Sequence, residues 1–386
     1  MRVGHPFWTL VWIRVAFLIG TAAALLWAPA SGDAIPAARA WGPFTDLVFG
    51  TFGQWDADWF LRIARDGYDE LSAAFFPLYP ALLWLGGSSL VWGTVLSLVA
   101  AGLGAWIVSD LARERLGPAV ARDTVLILAL FPTAFVFTAV YSDGLFLLLS
   151  AASFRAAQRG HPWLAGVVGG LAVATRAMGL ALLPALIYLL WPKGRRDVWR
   201  LAPLLLLPAA VGMYALYLHG EVGDAFAFTD AQTSEWEREV HPLGPLGGLW
   251  MAIQAGGHGA REILESLPRT EHGGAGYSQA LQVSWWNVVH LALLVPLAWL
   301  TLVAWRRLGP AFGLYALATL VVILSVPSTG FPLVSLPRFV LSDFPVLIAL
   351  AAVIAGRPGL RTGVLISLGA VSAVAGVAFA RGVWIA

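Results

Sequence analysis

Residues 90–112 read LVWGTVLSLVAAGLGAWIVSDLA, and the first charged side chain among them is Asp110. A helix over this run is long enough, at about 1.5 Å per residue, to cross the roughly 30 Å of hydrocarbon in a bilayer. The rest of the chain repeats the pattern. Apolar stretches that span a bilayer or nearly do so fall at 7–29, 90–112, 122–140, 143–158, 162–175, 177–191, 200–218, 283–305, 310–327, 338–355 and 362–384, separated by short segments rich in Arg, Gly and Pro. These eleven stretches predict an all-α polytopic membrane protein, a single integral-membrane unit over 1–386, with 162–191 split near Arg176 and Gly179. Of the 386 residues 59% are hydrophobic and only 12% charged, whereas a soluble domain carries roughly 25% charge. A soluble enzyme is thereby excluded.

Arg and Lys number 24 and Asp and Glu 22, so no net positive field suits nucleic acid. Cysteine is absent, which removes disulfides and thiolate catalysis. All basic residues but Lys193 are arginine, a bias of high-GC coding that points to a bacterial plasma membrane. With a cytoplasmic N-terminus, the inner segments hold fourteen basic and four acidic residues, and the outer side nine basic and seventeen acidic ones. This is the positive-inside pattern. Ala28-Pro29-Ala30 resembles a signal cleavage site, but the weak basic n-region and the length of the first apolar run favour a retained helix.

Two non-cytoplasmic segments are too long for simple connectors: residues 30–89 and 219–282. In the first, Trp55, Trp59, Phe60, Ile63 and Tyr68 have the spacing of an amphipathic helix at the membrane interface. The Gly-rich part of the second, Gly256 to Gly276, is expected to be mobile.

Polar residues in apolar surroundings are the candidates for chemistry. Asp56 and Asp58 lie two positions apart, diverge on a helix, and so cannot share a proton; one of them, desolvated among aromatic rings, is suited to act as a general base. The same stretch also reads as an interfacial belt in which the Asp residues cap a helix and pair with Arg62 or Arg65. Asp143 reads either as a site residue or as the N-cap of the fourth span. Arg176 and Arg338 reach the same outer side and offer planar donor forks that match a lipid phosphate, while an ion pair of Arg338 with Asp343 or Asp143 is the competing structural use. Seven histidines are scattered, no HExxH or Walker motif is present, and no metal or cofactor is expected.

Taken in order, Trp55-Asp56-x-x-Trp59-Phe60, Ile63-Ala64-x-x-Gly67-Tyr68 and Ala74-Phe75-Phe76-Pro77-Leu78-Tyr79-Pro80 resemble the signature of the PIG-V-like (GPI mannosyltransferase 2-like) mannosyltransferases. Tyr141-Ser142-Asp143, Ala174-Thr175-Arg176, Ala231-Gln232 with Trp236 and Arg238, and Ser335-Leu336-Pro337-Arg338-Phe339 extend the resemblance along nearly the whole chain. It implies a GT-C-type transmembrane bundle and an inverting transfer of mannose from polyprenyl-phosphate-mannose to a glycolipid, glycan or protein acceptor on the non-cytoplasmic face. On that resemblance Asp56, or secondarily Asp58, is the base. Arg338 and Arg176 hold the donor phosphate, and Asp143, Gln232, Trp236, Arg238, Trp55 and Tyr79 contact substrate. A transporter or flippase of a lipid-linked sugar is the alternative, since charges inside a bundle also mark transport routes.

Overall fold

The computed structural model describes residues 5–27, 49–192, 194–266 and 275–385. The expected cleavage site, the first part of the outer segment (30–48), Lys193 and residues 267–274 lie outside them. Among the described residues the chain is helical, with one isolated antiparallel bridge, Arg238 to Ser328, as its only extended pairing. The all-α membrane bundle follows from the residues: long apolar runs satisfy their backbone polar groups internally only as helices.

In chain order the helices are α1 (Pro6–Trp27), α2 (Asp56–Asp66), α3 (Leu78–Leu85), α4 (Leu90–Leu116), α5 (Pro118–Leu130), α6 (Asp143–Gln158), α7 (Pro162–Thr175), α8 (Leu183–Leu190) and α9 (Leu206–Val222). After them come α10 (Ala227–Trp236), α11 (Pro245–Ser266), α12 (Ala275–Leu308), α13 (Pro310–Ser325), α14 (Leu336–Ser342), α15 (Phe344–Ile354) and α16 (Pro358–Ala380). Every expected stretch contains helix, and among the described residues five helices are individually long and apolar enough to cross a membrane: Pro6–Leu26, Leu90–Leu116, Asp197–Val222, Leu281–Leu308 and Pro358–Ala380. A sixth span exists if α14 and α15, bent by 83° at Asp343, count as one. The expected 122–140 stretch breaks after Leu130 into a 3-10 turn at Ala134–Phe137. The split near Arg176 is present: α7 stops at Thr175, Arg176 is extended, and a 3-10 segment, Ala177–Leu182, follows. Breaks of this kind occur in membrane proteins where the backbone is buried in protein or lines a cavity.

Outward-facing residues such as Leu216, Val295, Trp84 and Ile366 expose more than 60% of their surface, a face matched to lipid rather than water. One buried arginine serves the helix ends directly. Arg14, 1% exposed in α1, donates from Nη1 to the Ala129 carbonyl (3.2 Å) and to Ser372 Oγ (3.3 Å). Ala129 lies in the last turn of α5, where carbonyls lack intrahelical partners, so the guanidinium caps the break and meets the negative end of the helix dipole.

The expected mobile segment from Gly256 is instead helical as far as Ser266. Two of its glycines are packing residues: a Cβ at Gly259 would stand 2.6 Å from the Ser284 carbonyl oxygen of α12 and one at Gly256 2.5 Å from the Leu291 side chain, and earlier in α11 a Cβ at Gly248 would stand 1.9 Å from the Leu324 carbonyl oxygen of α13. Without a hydrophobic force between helices in lipid, close approach over small residues supplies the attraction. The same device fixes α6 against α4. There a Cβ on Gly144 would meet the Ser97 carbonyl oxygen at 2.4 Å. Gly144→Ala is therefore expected to lower the thermal midpoint of the detergent-solubilised protein, at a cost of about 1–3 kcal/mol, as read by intrinsic fluorescence.

Candidate active site

The amphipathic reading of 55–68 is met by α2, which buries Ala57, Phe60, Leu61, Ile63 and Ala64 and leaves Asp56 at its first turn. Trp55, just before it, has φ +61°, a conformation that L side chains seldom adopt. Two more of the four described non-glycine residues with positive φ lie close to the other polar side chains of the site: Glu237 (φ +51°) precedes Arg238, and Ser335 (φ +64°) precedes the turn that carries Arg338. Local strain of this kind collects where surrounding structure dictates the direction of functional side chains. The surroundings here are visible. The 237–241 strand-like segment pairs with 325–329 through Thr329 N–H to the Glu237 carbonyl (3.2 Å) and His241 N–H to the Ser325 carbonyl (2.9 Å), and Thr133 Oγ1 donates to the Pro337 carbonyl (3.2 Å).

These elements bring four charges into one chain of ion pairs. Arg338, 6% exposed, donates from Nε to both oxygens of Asp143 (3.0 and 3.0 Å) and from Nη2 to Asp143 Oδ2 (2.8 Å), and its Nη1 donates to Asp56 Oδ2. Arg176 Nη1 donates to Asp143 Oδ1 from the other side. Asp143 is fully buried. Arg338 therefore reaches Asp143 and not Asp343, which sits at the α14–α15 bend and forms no ion pair among the described residues. The guanidinium of Arg338 also lies 4.5 Å from the centre of the Tyr141 ring.

Arg238 differs from its neighbours. It donates from Nη2 to the Val334 carbonyl (2.7 Å), has no carboxylate partner among the described residues, and keeps a buried Nε without any acceptor. Burial, and then repulsion from Arg176 and Arg338, push it down to about 10, against the attraction of Asp56. It is still a cation at neutral pH. Arg176 and Arg238 share the Phe339 ring, at 5.6 and 5.2 Å from its centre. Three guanidiniums thus gather around the Asp56 and Asp143 carboxylates, and Glu239 brings a third carboxylate to the same cavity.

The charges border a cavity of about 550 Å³. Asp56, Arg176, Arg238 and Arg338 form its charged wall, Gln232, Thr233 and Trp236 of α10 a polar and aromatic one, and Phe75, Phe76, Met178, Phe228, Val322 and Ile323 an apolar one. Of the sequence candidates, Asp56, Arg176, Arg338, Gln232, Trp236 and Arg238 meet here. Four do not line the cavity. Asp58 points away from Asp56, as two-residue spacing on a helix dictates, and forms no ion pair among the described residues. Trp55 is 41% exposed beside it. Tyr79, expected against substrate, is fully buried, its hydroxyl within 2.7 Å of Ser97 Oγ and 3.3 Å of the Gly93 carbonyl, so its contacts are with protein. Asp143 lies behind Arg338. Phe339 and Glu239, which the sequence did not single out, line the cavity as well; adjacency to Arg338 and Arg238 was their only signal.

A family model of dolichyl-phosphate-mannose-protein mannosyltransferases matches residues 77–218. GPI alpha-1,6-mannosyltransferase 2 of Cricetulus griseus is 31% identical over 149 residues, 34% of this chain and 30% of that protein. The mouse protein is 31% identical over 166 residues, 38% of this chain and 34% of its own length. Over these stretches the chain is similar to mannosyltransferases. It spans about a third of the length of the relatives it matches. The crystal structure of ArnT from Cupriavidus metallidurans bound to undecaprenyl phosphate aligns with 95% of this chain and 76% of its own, with a TM-score of 0.47 and 15% identity.

The geometry makes Arg338 the residue whose loss is felt most. Arg338→Gln removes the cation between two carboxylates and is expected to cost about 3–5 kcal/mol, with Arg338→Lys giving little back because an ammonium lacks the fork. Arg238→Gln, which breaks no ion pair, is expected to shift the same thermal melt by a clearly smaller amount.

Proposed function

We propose that the protein is an inverting glycosyltransferase that transfers mannose from polyprenyl-phosphate-mannose to a hydroxyl of a glycolipid, glycan or protein acceptor on the non-cytoplasmic face of the membrane. The observation that carries this reading is Asp56, a carboxylate whose Oδ2 is tied by Arg338 while Oδ1 accepts no hydrogen bond from any described residue, at the wall of a largely apolar cavity that three arginines border. Similarity to mannosyltransferases, one group of them named for dolichyl-phosphate-mannose, supports the sugar and the donor class. The asymmetry of charge along the sequence supports the side.

In the proposed reaction the acceptor hydroxyl gives its proton to Asp56 as its oxygen attacks the anomeric carbon. The bond from that carbon to the phosphate oxygen breaks in the same displacement, with inversion, and its electron pair leaves with the polyprenyl phosphate. Negative charge grows on the leaving phosphate, and preorganised cations in a water-poor site stabilise it. Arg238 is the best placed of the three for this, since its donors are not consumed by carboxylates, and Arg176 flanks it across Phe339. Gln232 and Trp236 are left to hold the sugar or the acceptor.

Protein in nanodiscs supplied with polyprenyl-phosphate-mannose and candidate acceptors is expected to release polyprenyl phosphate and form an α-to-β or β-to-α inverted product. Asp56→Asn should lower kcat by about 10²–10⁴-fold while the donor still binds. Arg238→Gln should raise the KM for donor about tenfold. Turnover with GDP-mannose alone would contradict the donor, undiminished turnover in Asp56→Asn the base. Movement of the lipid-linked sugar across proteoliposomes without cleavage would make the protein a flippase.

A further inference from the structure

We propose that Asp143 is a positioning residue: through Arg338 it sets the direction and the basicity of the Asp56 carboxylate, and it touches no substrate. This rests on the reading of Asp56 as the base and assigns a second carboxylate its part in the same site.

Asp143 is fully buried and absent from the cavity wall, yet it takes three hydrogen bonds from Arg338 and one from Arg176. A substrate hydroxyl has no path to it. Its oxygens hold the Nε–Nη2 edge of the guanidinium, and because that group is planar, fixing one edge aims the remaining nitrogen, Nη1, at Asp56 Oδ2. The clamp itself is anchored. Ser97 Oγ donates to the Tyr141 carbonyl (3.0 Å), two residues before Asp143, and Gly144, one residue after, lies against the Ser97 backbone with no room for a methyl group.

There is also an electrostatic reason for a second carboxylate. A base beside an uncompensated arginine holds its negative charge too firmly to accept a proton. Asp143 shares the charge of Arg338, so Asp56 receives a directed hydrogen bond without facing the whole cation. The charged and titratable groups around Asp56 are Arg338 on α14, Arg176 after α7, Arg238 and the cavity-lining Glu239 after α10, Tyr141 just before α6, Asp143 at its start, and Asp58 on its own helix. Of these, only Arg338 is hydrogen-bonded to both carboxylates.

The test follows the Asp56 carboxyl itself. Full-length protein in nanodiscs is titrated by infrared difference spectroscopy, with Asp56→Asn assigning the band, and the same samples are assayed with polyprenyl-phosphate-mannose. In Asp143→Asn the Asp56 protonation midpoint should fall by about one pH unit, the acid limb of kcat should move with it, and kcat should drop about tenfold with KM changed less than twofold. In an Arg338→Gln background, adding Asp143→Asn should move the midpoint little, because the coupling runs through Arg338. Asp143→Glu keeps the charge and so guards against a variant that merely fails to fold; its extra methylene displaces Arg338, lowering kcat while the midpoint stays within about half a unit. An unchanged midpoint in Asp143→Asn, an equal shift with and without Arg338, or a rise confined to KM would each overturn the proposal. If the midpoints behave as expected but the wild type does not turn over the donor, the positioning role stands and the transfer reading falls.

Discussion

A largely buried guanidinium between two carboxylates is the interaction on which the site depends. Arg338 joins α14 to α6 through Asp143 and to α2 through Asp56, three elements far apart in the chain. Its desolvation is tolerable only because both edges of the fork are used, and removing any partner leaves an uncompensated charge. The same demand explains why irregular backbone gathers here. Helices stop at Thr175, Trp236 and Ser342, and Trp55, Glu237 and Ser335 adopt φ values that cost energy, so that side chains from separate helices converge.

The breaks in the helices and the charges are two sides of one constraint. Within a bilayer an interrupted helix needs partners for its freed carbonyls, and a buried arginine needs acceptors. Arg14 at the end of α5 is the simplest case, serving both needs at once. Around the cavity the solution is more elaborate: Arg338 and Arg176 are tied to carboxylates, whereas Arg238 is held by a carbonyl and keeps a buried Nε without an acceptor.

How much of this was legible beforehand differs from residue to residue. The helical bundle was, because an uncharged run such as 90–109 has few other ways to satisfy its backbone in lipid. The amphipathic helix at 56–66 was, because its apolar residues recur at helical spacing. Gly256 and Gly259 were misread: composition suggests a mobile loop, yet glycine is equally the residue of close helix contact, and only the neighbouring Leu291 side chain and Ser284 carbonyl decide between the two. The apolar stretches and the long helices do not coincide one to one for a related reason, since hydropathy registers apolar runs without registering whether a helix persists through them.

The sequence by itself determined the class of protein, the residues able to carry charge inside it, and the grouping of acids on one side of the chain's alternation, all of which follow from counting and spacing. It left open whether Arg338 pairs with Asp143 or Asp343, and whether Asp143 lines the cavity. Those were decided only by tertiary structure, because ion pairing between residues nearly 200 positions apart depends on where an 83° bend points a side chain, and burial depends on what packs in front of it. Local pattern carries no record of either.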